Sequence, residues 1–462
     1  MLLNMITTQV RGALSCGFEE HEIAAAPEAA EQQILAAESE ADLMDAEQSL
    51  AQAQVMEDKA AGLEEMALIA EGMNESEAEG PATETEVAMT DLAADLATGG
   101  TDAELEVFNP DEANMAGQGL EAYSPFKRRN VGVEGIKEMA KNFWETVKRL
   151  VEKAIDAFIA FYRKITDRVP GVVKEARKVS ARAEDSLGKV VKEKKTKIST
   201  EAKTLALGDS APKSFGDVKK GLDNTIDVAK SLLGDYAKQV VDGGDRLADA
   251  IGSFDVDKAD ASLKKCNVAV EKITSKAPVF ANHKVSGDSR FTKAQSVTRS
   301  EMLPGGVAIF TTGIIQSTSG MSEVAVASLY RSFQFGVHRH NDKDVKDFSS
   351  AEITTLTPNE VEKICETVED LMGYVKQFQS KHQRNLEKAA KKIKDAGSKA
   401  AGRVKDDTTV PAQRAYRAGM NYATAYAGWC SSPFGRVVSI ALAASTAALS
   451  VCSKSLSNYG AA

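Results

Sequence analysis

Few side chains in this 462-residue sequence have the types and spacing that catalysis or metal binding requires. His338-Arg339-His340 would place two imidazole rings on one side of a strand. No Cys pair or acidic cluster of defined spacing accompanies them, so an exposed polar turn is favoured over a metal site. The glycine-rich stretches at 303–306 and 317–321 lack the Lys-Ser/Thr of a phosphate loop and indicate turns. The sequence therefore predicts no enzyme, no cofactor and no metal.

The cysteines are scattered along the chain. None belongs to a CxxC pair, and none lies in a recognisable nucleophile motif. We therefore expect reduced thiols, as in a cytoplasmic protein, rather than a disulfide framework or a zinc knuckle. The N-terminus has no basic segment followed by an apolar core, so no signal peptide is expected. The five cysteines are Cys16, Cys266, Cys365, Cys430 and Cys452.

The charge of the chain changes sign at one position. Residues 1–121, here called the arm, contain 28 acidic and two basic residues. Residues 122–462, the body, contain 55 basic and 39 acidic residues. An arm of net −26 is thus joined to a body of net +16. An arm tethered in this way has a high effective concentration near the basic faces of the body, and we expect it to mask them until it is removed or released.

The positive charge of the body is concentrated at 127–203 and 381–405. Two such regions favour contact with polyphosphate or another anionic surface. Sequence-specific reading of DNA is not indicated, because no helix-turn-helix or zinc-finger pattern occurs. The predicted contacts with nucleic acid or another anion are Lys127, Arg128, Arg129, Lys192, Lys194, Lys195, Lys197, Lys388, Lys391, Lys392 and Lys394.

The arm has high helix propensity but few apolar side chains that could be buried. Its apolar side chains between 28 and 72 are too sparse for a broad stripe, and 73–121 adds Pro, Thr and Gly-Gly. We therefore expect marginal helix or disorder followed by a solvated linker.

The first half of the body has helical periodicity. Apolar residues repeat at steps of three and four over 136–165, which predicts an amphipathic helix that ends at Pro170-Gly171. Its aromatic face indicates a core or partner helix, and a membrane-surface helix is the alternative. Residues 172–275 predict further helices, broken at Gly208-Asp209, Gly243-Gly244 and Gly252-Ser253.

Residues 277–340 have a different pattern. Two β-rich runs flank the Leu303-Pro304-Gly305-Gly306 turn and predict two strands, whereas 324–337 fits either a strand or a buried helix. We expect a small antiparallel sheet inserted among helices.

The C-terminal part returns to helices. Thr357-Pro358-Asn359-Glu360 has the pattern of a capping box, and a heptad seam of apolar residues follows from Val361 to Phe378. Two more helices are predicted after Pro411, separated at Ser431-Ser432-Pro433. The uncharged run 437–452 is short for a bilayer, which favours a buried helix over a membrane span.

The predicted fold is therefore mainly α, with long amphipathic helices, a small antiparallel β insertion and an acidic N-terminal arm that is marginally helical or disordered. Four regions are predicted. They are a propeptide-like arm (1–121), a basic helical region (122–276), a small β-containing region (277–350) and a C-terminal helical region (351–462).

The sequence at the junction between arm and body resembles a known protease cleavage pattern. Gly119-Leu120-Glu121, followed by Ala122, resembles the small-or-apolar, any, Glu pattern that the prohead maturation proteases of large tailed bacteriophages cut. A second candidate is Glu134, followed by Gly135. The acidic arm, the cut after Glu and the basic helical body together resemble the internal head proteins of such phages, and 131–150 and 301–310 are similar to that group.

This resemblance implies a non-enzymatic virion protein, made in the host cytoplasm and built into the prohead core. It implies partners in the prohead protease, in capsid or core proteins and in packaged DNA bound non-specifically. It also implies trimming during maturation, a place inside the phage head and ejection with the genome. The alternative is a membrane-active or secreted helical protein that an acidic pro-arm holds inactive. The aromatic helix at 136–165 and the run at 437–452 would then contact the membrane.

Overall fold

A computed structural model of the chain describes residues 41–42, 44–57, 59–60, 125–275, 277, 285, 296–315, 317–339, 348–400, 403 and 409–460. Over these residues the protein is mainly α-helical with short antiparallel strands, which confirms the predicted fold class. Most of the buried apolar side chains form one contiguous cluster, and described residues of all four predicted regions contribute to it.

The helices are numbered in chain order. We call the helical residues 41–42, 44–57 and 59–60 of the arm α1. The helices of the body are α2 (Pro125–Glu184), α3 (Ser199–Leu205), α4 (Phe215–Ala229), α5 (Ala237–Gly252), α6 (Ala259–Thr274), α7 (Glu323–Arg331), α8 (Pro358–Phe378), α9 (Arg384–Ala400), α10 (Val410–Met420), α11 (Tyr422–Ser431) and α12 (Phe434–Ser457). A π-helical turn, Lys230–Tyr236, joins α4 to α5, and another, Gln379–Gln383, joins α8 to α9.

In the described part of the chain, three small antiparallel sheets accompany the helices. The predicted hairpin is present as β3 (Val297–Arg299) and β4 (Val307–Thr312), and β5 (Gln334–Arg339) pairs with the other edge of β4. The pattern of 324–337 fitted either a strand or a helix. The structure has both in this segment, with α7 followed by β5.

The two other sheets lie where only helices were expected. Within 172–275, β1 (Val190–Val191) pairs with β7 (Tyr459–Gly460), and β2 (Lys195–Lys197) pairs with β6 (Glu352–Thr354). Their partners are more than 150 residues away in sequence, so local periodicity gave no sign of them.

The prediction that the first long helix ends at Pro170-Gly171 is wrong. Helix α2 runs 60 residues and contains Pro170, whose ring lies on the exposed side. Proline in a helix interior removes one hydrogen bond and costs about 3 kcal/mol. The neighbouring Val169 and Val172 are buried, and α2 packs along α8, so this tertiary packing outweighs the proline.

The predicted break at Gly243-Gly244 is also wrong, whereas those at Gly208-Asp209 and Gly252-Ser253 are confirmed. Both glycines lie inside α5, where a Cβ at Gly243 would overlap Ile273 and a Cβ at Gly244 would overlap the ring of Tyr426. These glycines allow close helix packing, a role that is invisible in the local sequence.

The capping box at the start of α8 is confirmed. The Thr357 side chain accepts a hydrogen bond from the Glu360 amide, and the Glu360 carboxylate accepts one from the Thr357 amide at 2.8 Å. All six residues of the heptad seam are buried: Val361, Ile364, Val368, Leu371, Val375 and Phe378.

The aromatic face of α2 is packed inside the protein, as predicted for a core helix. Phe158, Phe161 and Tyr162 are buried, and the Tyr162 ring centroid lies 5.6 Å from that of Phe378 on α8. From Val147 to Ile165 the apolar side chains of this face are therefore largely covered by the protein, which does not favour the membrane contact of the alternative interpretation.

The C-terminal helices differ from the prediction at one point. The break at Ser432-Pro433 is confirmed, but the preceding helix is divided at Asn421 into α10 and α11. Among the described residues, one stretch, Pro411–Ser457, has the length and hydropathy of a membrane span, and 67% of its apolar window is buried in the protein. The buried position of α12 confirms the prediction for 437–452.

Candidate functional site: the arm-docking surface

Helix α1 packs on the body through one face of small side chains. Its buried residues follow steps of three and four, so they lie along a single stripe. Of them, Ala46, Leu50 and Ala53 belong to the same buried cluster as the core of the body. The stripe consists of Ala46, Ser49, Leu50, Ala53, Glu57 and Ala60.

Two lysines of α2 pair with the first turn of α1. The Lys164 ammonium lies 2.8 Å from the Asp42 carboxylate, and Lys153 donates to Asp45 at 2.8 Å. The Lys153–Asp45 pair is about half exposed on both sides, so solvent screens it and it contributes at most about 1 kcal/mol. The Lys164–Asp42 pair is more covered, with exposed fractions of 31% and 24%.

Two arginines hold the middle and the end of α1. Arg436, in the first turn of α12, donates from Nε to Oε1 of Glu47 at 2.8 Å and from a terminal nitrogen to Oε2. Arg331, in the last turn of α7, donates to Glu57, whose side chain is only 1% exposed. Such charge-assisted bonds are stronger than neutral ones, and a two-point arginine–carboxylate pair also fixes orientation. We call Lys153, Lys164, Arg331 and Arg436 the docking surface.

The N-terminus of α12 adds to the binding of Glu47. That helix has no acidic residue in its first turn, where a negative charge would complement the helix dipole. The Glu47 carboxylate, brought there by Arg436, supplies this charge from the arm. The surface is therefore built to hold an anion.

The first predicted cationic cluster lies at the β1–β2 end of the body. Lys192, Lys194, Lys195 and Lys197 are all exposed there, and Lys195 lies 3.3 Å from Glu352 on the partner strand.

The second predicted cluster lies on α9. Lys388, Lys391 and Lys392 are exposed, Lys392 donates to Asp245 of α5 at 2.6 Å, and Lys394 lies 3.4 Å from Glu152 of α2.

The two clusters lie far apart along the long helix α2, one beside its middle and the other beyond its C-terminal end. Lys394 pairs with Glu152, whereas the first cluster follows the last turn of α2 at Glu184. The two positions are about 32 residues apart on a helix that rises 1.5 Å per residue, so they are separated by roughly 48 Å. The structure therefore does not bring the predicted contacts together.

The remaining predicted site residues lie at the beginning of the body. Lys127, Arg128 and Arg129 lie in the first turns of α2, and so do Glu134 and Gly135 of the second cleavage candidate. Gly119, Leu120, Glu121 and Ala122 of the first candidate lie outside the described residues.

Catalytic chemistry gains no support from the thiols and imidazoles. Cys266, Cys365, Cys430 and Cys452 are free and buried. Burial raises the pKa of the first three thiols to about 12 and that of Cys452 well above its ordinary value. Cys16 lies outside the described residues.

The predicted turn at His338-Arg339-His340 is instead partly strand, because His338 and Arg339 end β5. The His338 ring lies 5.6 Å from that of Phe310. His340 is not described, and the described residues contain no group of three or more His, Cys, Asp or Glu that could hold a metal ion.

The four cations of the docking surface were not singled out from the sequence. Lys153 and Lys164 lie within the basic region 127–203 but were not among the predicted contacts, and Arg331 and Arg436 come from helices far apart in the chain. One signal was present. Ala46, Leu50, Ala53, Glu57 and Ala60 repeat at steps of four and three, a seam made mostly of alanine, which a search for large apolar residues overlooks.

Comparison with known proteins gives a family but no detailed template. No curated protein and no solved structure matches the chain. A family model described as phiKZ-like phage internal head proteins matches residues 20–454, which include most of the arm together with the body. The docked α1 therefore lies within the matched region. The chain belongs to the phiKZ-like phage internal head proteins, structural components located inside the phage head.

Proposed function

We propose that this protein is a non-enzymatic component of the head interior, made as a precursor whose acidic arm is removed after Glu121 during capsid maturation. In this proposal the body stays with the packaged DNA and enters the host with it. The supporting observation is the docking of α1, whose four carboxylates cover four cations of the body. An arm that only solubilised the chain would need no such fitted contact.

The two candidate cleavage sites differ in one physical respect. Glu134 and Gly135 lie inside α2, where the backbone is hydrogen-bonded and a protease must first unwind the helix. The bond between Glu121 and Ala122 precedes the start of α2 at Pro125. This difference favours the cut after Glu121 by the prohead protease.

Removal of the arm changes the electrostatics of the protein. The precursor has a net charge of −10, which opposes contact with DNA, whereas the body alone has +16. Each phosphate that a basic side chain neutralises releases a counterion, so binding to DNA should be strong at low salt and fall steeply as salt rises. The arm thus keeps the precursor off nucleic acid until the capsid has assembled.

The proposal is tested with the folded full chain. A recognition site for a specific protease is inserted between Glu121 and Ala122, and the purified protein is cut after folding. Binding to a duplex of about 20 base pairs is then measured by fluorescence anisotropy across a salt series. The cut protein should bind more tightly than the uncut protein, with a steeper salt dependence. Equal binding by the two forms would contradict the masking of the body.

A further inference from the structure

The docking surface already has the chemistry of a phosphate site. The Arg436 guanidinium meets two carboxylate oxygens at the N-terminal turn of a helix, and Arg331 meets a third carboxylate oxygen. Guanidinium groups bind phosphate oxygens with the same two-point geometry, and a helix N-terminus favours any anion. We propose that duplex DNA binds the docking surface after the arm has left, with backbone phosphates on Arg331 and Arg436. This inference rests on the proposed release of the arm.

Three lysines of the two predicted clusters keep their acidic partners when the arm is removed. Lys195 pairs with Glu352, Lys392 with Asp245 and Lys394 with Glu152, and all of these carboxylates belong to the body. The docking surface, in contrast, gives up the four carboxylates of Asp42, Asp45, Glu47 and Glu57. Its local charge therefore rises by four.

Helix α1 can be compared with a length of DNA. Its four paired carboxylates span residues 42–57, which corresponds to about 22 Å of helix. Duplex DNA carries one negative charge per about 1.7 Å, so the same length offers roughly 13 phosphates. DNA therefore presents about three times the charge of the segment that it would replace. The buried stripe of α1 is mostly Ala and Ser, so α1 itself contributes few large apolar side chains to the contact.

The test uses the cut protein with its arm removed by anion exchange in 0.5 M NaCl. The double variant R331Q/R436Q should lower the slope of log K against log salt by about 2, since each lost phosphate contact removes roughly 0.9. Affinity at about 0.1 M salt should fall at least tenfold. The double variant R331K/R436K retains both charges and should keep most of the slope. As a matched control, R177Q/K178Q removes two exposed charges of α2 outside the docking surface and should leave the slope close to that of the parent.

A second measurement needs no cutting. The uncut variant E47Q/E57Q loses the two carboxylates that the arginines hold, so it should bind DNA more tightly than the uncut parent. Thermal melts check that each variant remains folded.

Three results would overturn the inference. The first is a slope of log K against log salt that does not change in R331Q/R436Q, although the cut parent binds DNA. DNA would then bind another part of the body, and the proposed function would still stand. Self-association of the arm-free body, abolished by the same variant, would assign the surface to a second copy of the chain. An arm that stays bound in 0.5 M NaCl would show that the surface is not vacated. If the cut parent binds no DNA at all, the DNA part of the proposed function fails as well.

Discussion

Arg436 donates two hydrogen bonds to the carboxylate of Glu47, a residue 389 positions earlier in the chain. This pair joins the acidic arm to the first turn of the C-terminal helix α12. Together with Arg331 and Glu57, it makes the arm part of the folded precursor rather than a separate tail.

Loss of these two pairs should release α1. In E47Q/E57Q we expect docking to weaken by about 2 kcal/mol, or roughly thirtyfold, because two charge-assisted contacts of partly buried arginines are lost. Hydrogen exchange at 44–57 would rise accordingly. D45N removes a half-exposed pair and should change exchange by less than about fivefold. Unchanged exchange in E47Q/E57Q would show that the small apolar stripe holds the arm by itself.

The glycines of α5 provide a test of the core packing. G244A should destabilise the body by about 1–3 kcal/mol, because the added Cβ overlaps the ring of Tyr426, whose hydroxyl donates to the Val240 carbonyl at 2.9 Å. G373A adds the same methyl to an exposed position of α8 with open space around it and should stabilise by up to about 1 kcal/mol. Urea denaturation compares the two. Equal stability of the variants would mean that Gly244 is not a packing residue.

The start of α8 depends on one hydroxyl. T357A removes the acceptor for the Glu360 amide and should cost about 1 kcal/mol of stability. T357S keeps the hydroxyl and should stay within a few tenths of a kcal/mol of the parent. If both variants lose the same stability, the side-chain cap does not hold this helix end.

The buried thiols should resist alkylation. Because burial raises the pKa of Cys266, Cys365 and Cys430 to about 12, these thiols stay protonated at pH 8, and iodoacetamide should modify them only after denaturation. The unfolded thiols ionise near pH 9 and the folded ones near pH 12, so stability should decline as pH rises through this interval. Peptide mapping by mass spectrometry would show which cysteines are alkylated and would separate these three sites from Cys16. Rapid alkylation of any of the three in the folded protein would contradict its burial.

Local signals in the sequence were sufficient for much of the helical fold. The capping box at Thr357 and the heptad seam of α8 depend on neighbouring residues and were predicted correctly. Pro170 and Gly243-Gly244 gave wrong breaks because their neighbours in space decide their effect. The same holds for β1 and β2, whose partners come from the C-terminal part of the chain.

The candidate site was only partly predictable. The sign change in charge indicated that the arm would meet the body, but counting basic residues pointed to two lysine runs that lie far apart along α2. Lys153, Lys164, Arg331 and Arg436 become a surface only when α2, α7 and α12 pack around α1. Composition reports how much charge a chain carries, whereas packing decides which charges face a common ligand.

The removal of the arm is tested most directly by mass spectrometry of the protein from proheads and from mature particles. Peptides that cover 44–57 should be abundant in proheads and absent from mature heads, where the N-terminal residue should be Ala122. Recovery of 44–57 peptides from mature heads in the same proportion as peptides of the body would contradict the proposed processing.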